Sequence, residues 1–474
     1  MKVLIISTNR NRQPVVVMPF GAALVAQSVH SAGHEVRCVD LMFEKNPLRA
    51  VARSLEDFSP DVVGISIRNI DNNDMKNAKA LACDALPVVE LVTKTGMAEV
   101  ILGGAGVSVM PEAFLRRTGV RWACVGDGAI VLAAFVAAIE ARSDPRRIAG
   151  LAWIDNGVFM STNSVQPAGG KSVPRVDFSK WFNMRPYLRR MAGVPVQTKT
   201  GCPYACIYCT YSISQSNTYA LCEPEEVVRH IKKMIDSGLN DFEFVDNVFN
   251  APYDHAVALC KSIVQKKVRA RFYTVELNPG FLDDKLLRLM EQSGFAGIGV
   301  TAESASSTVL NNLGKDYDHH QLVTVAGHIS RSKIPCLWIF LLGGPGETPE
   351  TVQETLDFAE NYIRPTDAVY FNVGLRIYPG TPLERIARTE GSLTIESDAL
   401  FEPVFYMSPQ VDKTWVYGAL KKSVKKNMNF IDPDIFARPF LSPLSQLCYY
   451  AGMRPPLWKN TRFLRQALQL MGVH

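Results

Sequence analysis

Short β-rich runs alternate with segments of helical period along the first third of the chain. "KVLIIST" (2–8), "HEVRCVDL" (34–41), "DVVGISI" (61–67), "AEVILGG" (98–104) and "WACVGDG" (122–128) read as five strands. Between them, "GAALVAQSVHSAG" (21–33) and "DMKNAKALACDALPVVELVTKTG" (74–96) have helical spacing and end in Gly, so both are predicted helices. Strands and helices in turn predict a parallel, doubly wound α/β sheet over residues 1–150. Ligands of such sheets meet the carboxyl ends of strands, which here carry Ser66, the pair Gly103 and Gly104, and Gly126, Asp127 and Gly128.

Periodicity fades over 151–191, where Pro, Gly and Ser are frequent and "IDNGVF" (154–159) signals a hairpin turn; this stretch is read as a linker. A second alternation fills 192–385, with strands near 196–200, 241–246, 269–276, 295–302, 335–342 and 368–377. Helices such as "PEEVVRHIKKMIDSG" and "TPETVQETLDFAENYI" separate them, and six such units predict a partial (β/α)6 barrel. From 386 to 474 strand signals thin out, leaving a basic helix at "GALKKSVKKNMNF" (418–430), the aromatic, Pro-rich "CYYAGMRPPLW" (448–458) and a mostly helical outlook.

A chain of 474 residues, 47% hydrophobic, fills more than one core. Its formal charge of +5 argues against a nucleic-acid partner. From Arg385 onward twelve Lys and Arg face seven Asp and Glu, so the whole excess lies in the last fifth. The lysines 421, 422, 425 and 426, beside aromatic segments ending at Trp458, suit a solvated helix face. They equally suit an acidic or amphiphilic substrate, or peripheral contact with a membrane surface. The start "MKVLIISTNRNRQP" lacks the pattern of an export signal, and apolar runs such as "AIVLAAFVAAI" (129–139) are too short to span a bilayer. The expectation is cytoplasmic, where the ten cysteines stay reduced.

"TKTGCPYACIYCTYS" (198–212) puts Cys202, Cys206 and Cys209 within eight positions. Zinc would want a fourth ligand, yet no His lies between 202 and 229, and Cys222 is the only local candidate. Three thiolates on an iron–sulfur cluster would leave one iron open to an exogenous ligand. The spacing, with Tyr208 just before the third cysteine, resembles the signature of the radical S-adenosylmethionine enzymes. That resemblance implies a 4Fe-4S cluster held by Cys202, Cys206 and Cys209, which cleaves S-adenosylmethionine to a 5′-deoxyadenosyl radical, with Tyr208 near the adenine. It continues, in order, through Asp246 and Asn247 in "FEFVDNVFN", Glu303 and Ser304 in "GIGVTAES", and Gly343, Gly344, Gly346 and Glu347 in "IFLLGGPGET". "RIYPGTPLE" (376–384) ends the series. These residues are expected around S-adenosylmethionine at the barrel mouth.

"PDVVGISI" (60–67), "VILGGAGVSVMPE" (100–112) and "CVGDGA" (124–129) resemble the flavodoxin-like cobalamin-binding module of the cobalamin-dependent members of that family. The resemblance implies that Ser66, Arg68, Asn69, Gly103, Gly104, Gly126, Asp127 and Gly128 bind cobalamin. The loop after the first strand reads "STNRNRQP", without the Asp-x-His-x-x-Gly of many cobalamin proteins, so the lower face of cobalt is expected to meet "RNIDNND" (68–74) and no His of that motif. His30 and His34 read as ordinary surface or capping residues. The implied activity is methylation of an unactivated carbon in a small-molecule or lipid-like substrate, with flavodoxin or ferredoxin as electron donor. Cyclisation or rearrangement, and a non-catalytic corrinoid or cluster sensor, are the alternatives. Methylthiolation would need a second three-cysteine cluster. Cys38, Cys83 and Cys124 read instead as packing residues on strands and a helix.

Overall fold

The computed structural model describes residues 1–163, 176–396, 400–434 and 441–470. Its first sheet joins β1 (Lys2–Ser7), β2 (Glu35–Asp40), β3 (Val62–Ser66), β4 (Glu99–Gly103), β5 (Trp122–Cys124), β6 (Leu151–Asp155) and β7 (Val158–Ser161) in the order β2-β1-β3-β4-β5-β6-β7. The first five strands run parallel, with registers such as Ile5↔Gly64 and Gly64↔Ile101. Alternation along each strand feeds two cores. Val3 and Ile5 pack with the helices Phe20–Ser31 and Gly128–Glu140. Leu4 and Ile6 face the helices Pro47–Phe58, Leu86–Thr95 and Pro111–Thr118 on the other side.

Two sequence expectations change here. The linker expected from 151 begins as sheet, because β6 pairs antiparallel with β5 and β7 with β6 across Asn156 and Gly157, both at positive φ as a two-residue hairpin requires. Residues 164–175 of that linker lie outside the described residues. The helix expected from 74 starts only at Leu81. Asp74 Oδ1 accepts from the backbone N–H groups of Lys76 and Asn77 at 2.9 and 3.0 Å, and Asn72 Oδ1 from that of Lys79 at 2.9 Å. Clustered Asn and Asp hold the backbone in turns that compete with helix.

In the second half, β8 (Val194–Val196) is followed by the small antiparallel pair β9 (Lys199–Thr200) and β10 (Ala220–Leu221). Then come β11 (Asp241–Phe244), β12 (Arg271–Leu277), β13 (Phe295–Glu303), β14 (Cys336–Leu342) and β15 (Ala368–Val373). The pair β16 (Leu375–Arg376) and β17 (Phe405–Tyr406) precedes β18 (Phe430–Ile431). The barrel sheet is parallel, in the order β18-β15-β14-β13-β12-β11-β8. The C-terminal region is therefore helical but also supplies a seventh barrel strand, too short at two residues to show in sequence. It enters the lumen as well: a Cβ on Gly297 would lie 2.8 Å from Pro456 and 2.9 Å from the Trp458 ring, so β13 uses glycine where that segment inserts. The basic helix is Lys413–Lys426, with Val416, Leu420 and Val424 buried, Lys421, Lys422 and Lys425 exposed, and Lys426 paired with Glu360.

Candidate active site

The cysteine loop is clamped at both ends. Cys202 N–H donates to Ser216 O at 2.9 Å, and Ile207 N–H to Leu313 O at 3.2 Å. Gly201, at φ +84°, sits where a Cβ would meet Thr218 O at 2.0 Å, and a Cβ on Gly314 would meet Ala205 O at 2.8 Å. Beneath the loop, Asp246 is fully buried and accepts from Thr198 N–H (2.7 Å), Thr198 Oγ1 (2.6 Å) and Lys199 N–H (3.2 Å), with Lys199 Nζ at 3.3 Å. Asp246 thus anchors the strand leading into the loop. Asn247 ties in from the same strand end, donating to Gln215 Oε1 at 2.7 Å.

Among the described residues no three His, Cys, Asp or Glu side chains converge on a single ion, as a zinc site would need. The three thiols lie close enough for charge on Cys206 to raise both neighbours, after burial, which pushes Cys209 up to about 12. Three thiols around a rigid loop fit a multi-iron cluster whose metal displaces their protons.

Above the loop, β13 ends in a register shift at Thr301–Glu303, and Glu303 takes φ +61°, a left-handed geometry rare outside glycine. Tyr208 OH donates to Glu303 Oε1 at 2.5 Å, and Lys315 Nζ donates to both Tyr208 OH and Glu303 Oε1 at 2.8 Å. Burial alone would lower the pKa of Lys315. Glu303 and Tyr208 outweigh it and hold the ammonium well above its ordinary value. The signature tyrosine and the strand-end carboxylate therefore meet through a lysine that the sequence reading missed. Lys315 stands just after a helix and has no motif of its own.

Other expected S-adenosylmethionine residues are occupied. Ser304 is fully buried, and its Oγ lies 3.2 Å from Thr355 Oγ1 and accepts from Ser306 N–H. Gly343 and Gly344, expected around the cofactor, both donate their backbone N–H to Glu347 Oε2, at 2.6 and 3.0 Å. Burial pushes Glu347 up to about 7. The motif closes on itself and shapes the turn.

On the cobalamin side, a cavity of about 1240 Å³ opens between the loops following β1 and β3, the barrel lumen and the C-terminal segment. Of the eight expected cobalamin residues, Arg68 and Asn69 line it. Arg68 keeps accessible surface because it faces this interior space, while the protein around it lowers its pKa through burial. Ser66 O accepts from Thr8 Oγ1 at 2.9 Å, and Asp127 caps the helix Gly128–Glu140, accepting from Ala129 N–H at 3.0 Å. Gly126 N–H donates to Ser108 Oγ at 3.1 Å. A Cβ on Gly103 would have ordinary room beside Cys124, and one on Gly128 would press on Val25 at 3.2 Å. Gly104, at φ +99°, would bring a Cβ within 2.6 Å of Ile67 O, so its glycine serves the close backbone approach between the ends of β3 and β4. Asn9, Gln13, Asn69 and Asn72 give the cavity amide groups, and Val15 and Val17 give it an apolar wall. That set fits a corrinoid, an apolar ring rimmed by carboxamides. No histidine lines the cavity among the described residues. His30 packs edge-on to Trp181, and His34, though buried, faces the N-terminal amine at 3.4 Å.

Two further acids were not expected. Glu243 of β11 lines the same cavity, with Tyr273 OH 3.4 Å from its Oε2, and burial pushes it up to about 7. Glu276 is raised to about 8 by burial and by Glu303. The inward alternation of "DFEF" could have flagged Glu243. Cys38 on β2, Cys83 in the short turn Leu81–Ala85 and Cys124 on β5 are spread over separate elements, and burial raises the first and last to about 12.

With this geometry in place, comparison is informative. The Radical SAM superfamily matches residues 196–359, and the B12 binding domain matches residues 10–136. An uncharacterized methyltransferase of Pyrococcus horikoshii, PH0819, is 26% identical over 373 residues, 77% of each chain. Tryptophan 2-C-methyltransferase of Streptomyces laurentii is 23% identical over 446 residues, 80% of this chain and 73% of that protein. The structure of the radical S-adenosylmethionine methyltransferase TsrM from Kitasatospora setae, with cobalamin and a 4Fe-4S cluster bound, has the same fold at a TM-score of 0.85 and 21% identity, covering 99% of this chain and 98% of that one. A radical S-adenosylmethionine barrel joined to a B12-binding domain defines the class. This chain carries both domains, and the relatives it is similar to are methyltransferases.

Proposed function

We propose that this enzyme transfers a methyl group to an unactivated carbon of a small-molecule or lipid-like biosynthetic intermediate. The observation that carries the reading is the single cavity bordered by Arg68 and Asn69 of the N-terminal domain and by Glu243 and Tyr273 of the barrel. When bound, the cluster supplies a one-electron reductant and the corrinoid a metal that carries methyl. Cys202, Cys206 and Cys209 would hold the cluster, and Glu303, Lys315, Tyr208 and Asn247 would hold S-adenosylmethionine beside it. Arg68 and Asn69 would help hold the corrinoid. Val275, Leu337 and Ile339 would keep the transfer space apolar, while the segment around Trp458 excludes water from the lumen.

The domain division that suits this reading is a cobalamin domain over 1–150 extended by the hairpin to Ser161, a barrel over 192–385 and a substrate-shaping region over 386–474. Flavodoxin or ferredoxin in the cytoplasm would supply electrons. No helix among the described residues is long and apolar enough to cross a membrane. Peripheral contact would fall to Lys421, Lys422 and Lys425 and to Leu447 and Phe463, which are 66% and 58% exposed.

The test incubates the reconstituted full chain with S-adenosylmethionine and a low-potential reductant. S-adenosylhomocysteine and 5′-deoxyadenosine are both expected, the first from methyl donation and the second from cleavage at the cluster. Protein that binds both cofactors and forms neither product is a sensor, and the proposal fails.

A further inference from the structure

The loop 68–77, which lines the cavity from Arg68 to Asn77, is held by its own turns and also from outside its own domain. Asp71 and Arg376 are 305 residues apart, and each side chain is 1% exposed. Arg376 Nε donates to Asp71 Oδ2 at 2.6 Å. The rest of the guanidinium is fixed by barrel and C-terminal carbonyls: Nη2 donates to Leu400 O at 2.5 Å and Nη1 to Ile377 O and Val404 O. The other Asp71 oxygen accepts from Asn73 N–H at 2.8 Å and forms the turn of the loop. Two more contacts press from the barrel side. Gly374 is glycine where a Cβ would lie 2.4 Å from Met75 Sδ, and Lys76 pairs with Asp434 at 2.6 Å. From the loop's own domain, Asn69 Nδ2 donates to Asn9 Oδ1 at 3.3 Å, Ala82 N–H donates to Ile70 O at 2.9 Å, and Asp74 and Asn72 accept from the backbone of 76–79.

A buried ion pair is a poor source of stability, since desolvation offsets much of the attraction. Its distinctive contribution is to fix one geometry. We propose that Arg376 is a positioning residue which, through Asp71, sets the height and shape of the 68–74 loop beneath the corrinoid, so that the radical S-adenosylmethionine domain controls cobalamin affinity and the surroundings of cobalt. This rests on the reading that cobalamin occupies this cavity. A planar guanidinium with three of its N–H groups committed to carbonyls is fixed in orientation, and its Nε–H points to Asp71. The short strand β16 that carries it follows the barrel strand β15 after Gly374, and Tyr370 and Asn372 of β15 line the same cavity.

The test uses the full chain with its cluster reconstituted. Asp71→Asn keeps the turn-forming oxygen and replaces the oxygen that accepts from Arg376 with an NH2 group, removing both the charge and that hydrogen bond. Hydroxocobalamin titration should then give at least a tenfold weaker Kd, and the electron paramagnetic resonance spectrum of the bound cob(II)alamin should differ from native, with iron content and S-adenosylmethionine binding unchanged. Asp71→Glu, which restores the charge, should recover affinity in part. The inference is overturned if Asp71→Asn binds cobalamin within twofold of native with the native spectrum, or if iron and cobalamin are lost together, which marks a merely structural role. Should Asp71→Asn fail to fold, Arg376→Lys, which keeps the charge and loses the fork, is read by the same two outcomes. Native protein that never binds hydroxocobalamin refutes the cavity reading itself, a result distinct from a native-like Asp71→Asn.

Discussion

Cys206→Ala abolishes 5′-deoxyadenosine formation and lowers bound iron, while hydroxocobalamin still binds. The expectation follows from ligand count: three thiols sit on the clamped loop, and Cys222, the only nearby substitute in sequence, is buried, with its N–H committed to Thr198 O at 2.9 Å. Retained cobalamin binding is the internal control, because the cavity amides Asn9 and Asn69 belong to the N-terminal domain. Normal turnover in this variant refutes the cluster assignment.

Lys315→Met should be nearly as damaging although no motif includes it. Glu303 is 5% exposed and accepts from both Lys315 and Tyr208, in a backbone geometry that neighbours must enforce. Removing one partner of a buried pair costs about 3–5 kcal/mol. If even half is felt in the pocket, S-adenosylmethionine binds at least ~10-fold more weakly, at 1.4 kcal/mol per decade. Calorimetric titration of the cofactor checks this, with Lys315→Arg expected to recover part of the affinity. Native affinity in Lys315→Met would remove the Tyr208–Lys315–Glu303 group from the cofactor site.

The fold was legible because strand and helix periods differ. "KVLIIST" and "DVVGISI" announce β1 and β3 through apolar runs that both faces of the sheet bury. What escaped has local causes. β18 is two residues long, β6 and β7 flank the hairpin turn signalled at 154–159 but lie where periodicity breaks, and the 74–80 segment has helical spacing but five Asn and Asp just before or within it that prefer turns. The site was legible as motifs and less so as contacts. Spacing located Cys202, Cys206, Tyr208 and Cys209, yet nothing in "FEFVDNVFN" says that Asp246 spends its oxygens on Thr198 and Lys199. Nothing in "GGPGET" says that Glu347 takes the N–H groups of Gly343 and Gly344. Lys315 and Arg376 act through partners 12 and 305 positions away, a distance that no local pattern encodes.

The most direct test of a two-cofactor enzyme needs no substrate. Reconstituted protein loaded with hydroxocobalamin is reduced and given S-adenosylmethionine bearing a trideuterated methyl group, and the protein-bound corrinoid is then analysed by mass spectrometry. The trideuteromethyl group should be recovered on the corrinoid in step with S-adenosylhomocysteine. A corrinoid that is bound and reduced but stays unlabelled would contradict the account.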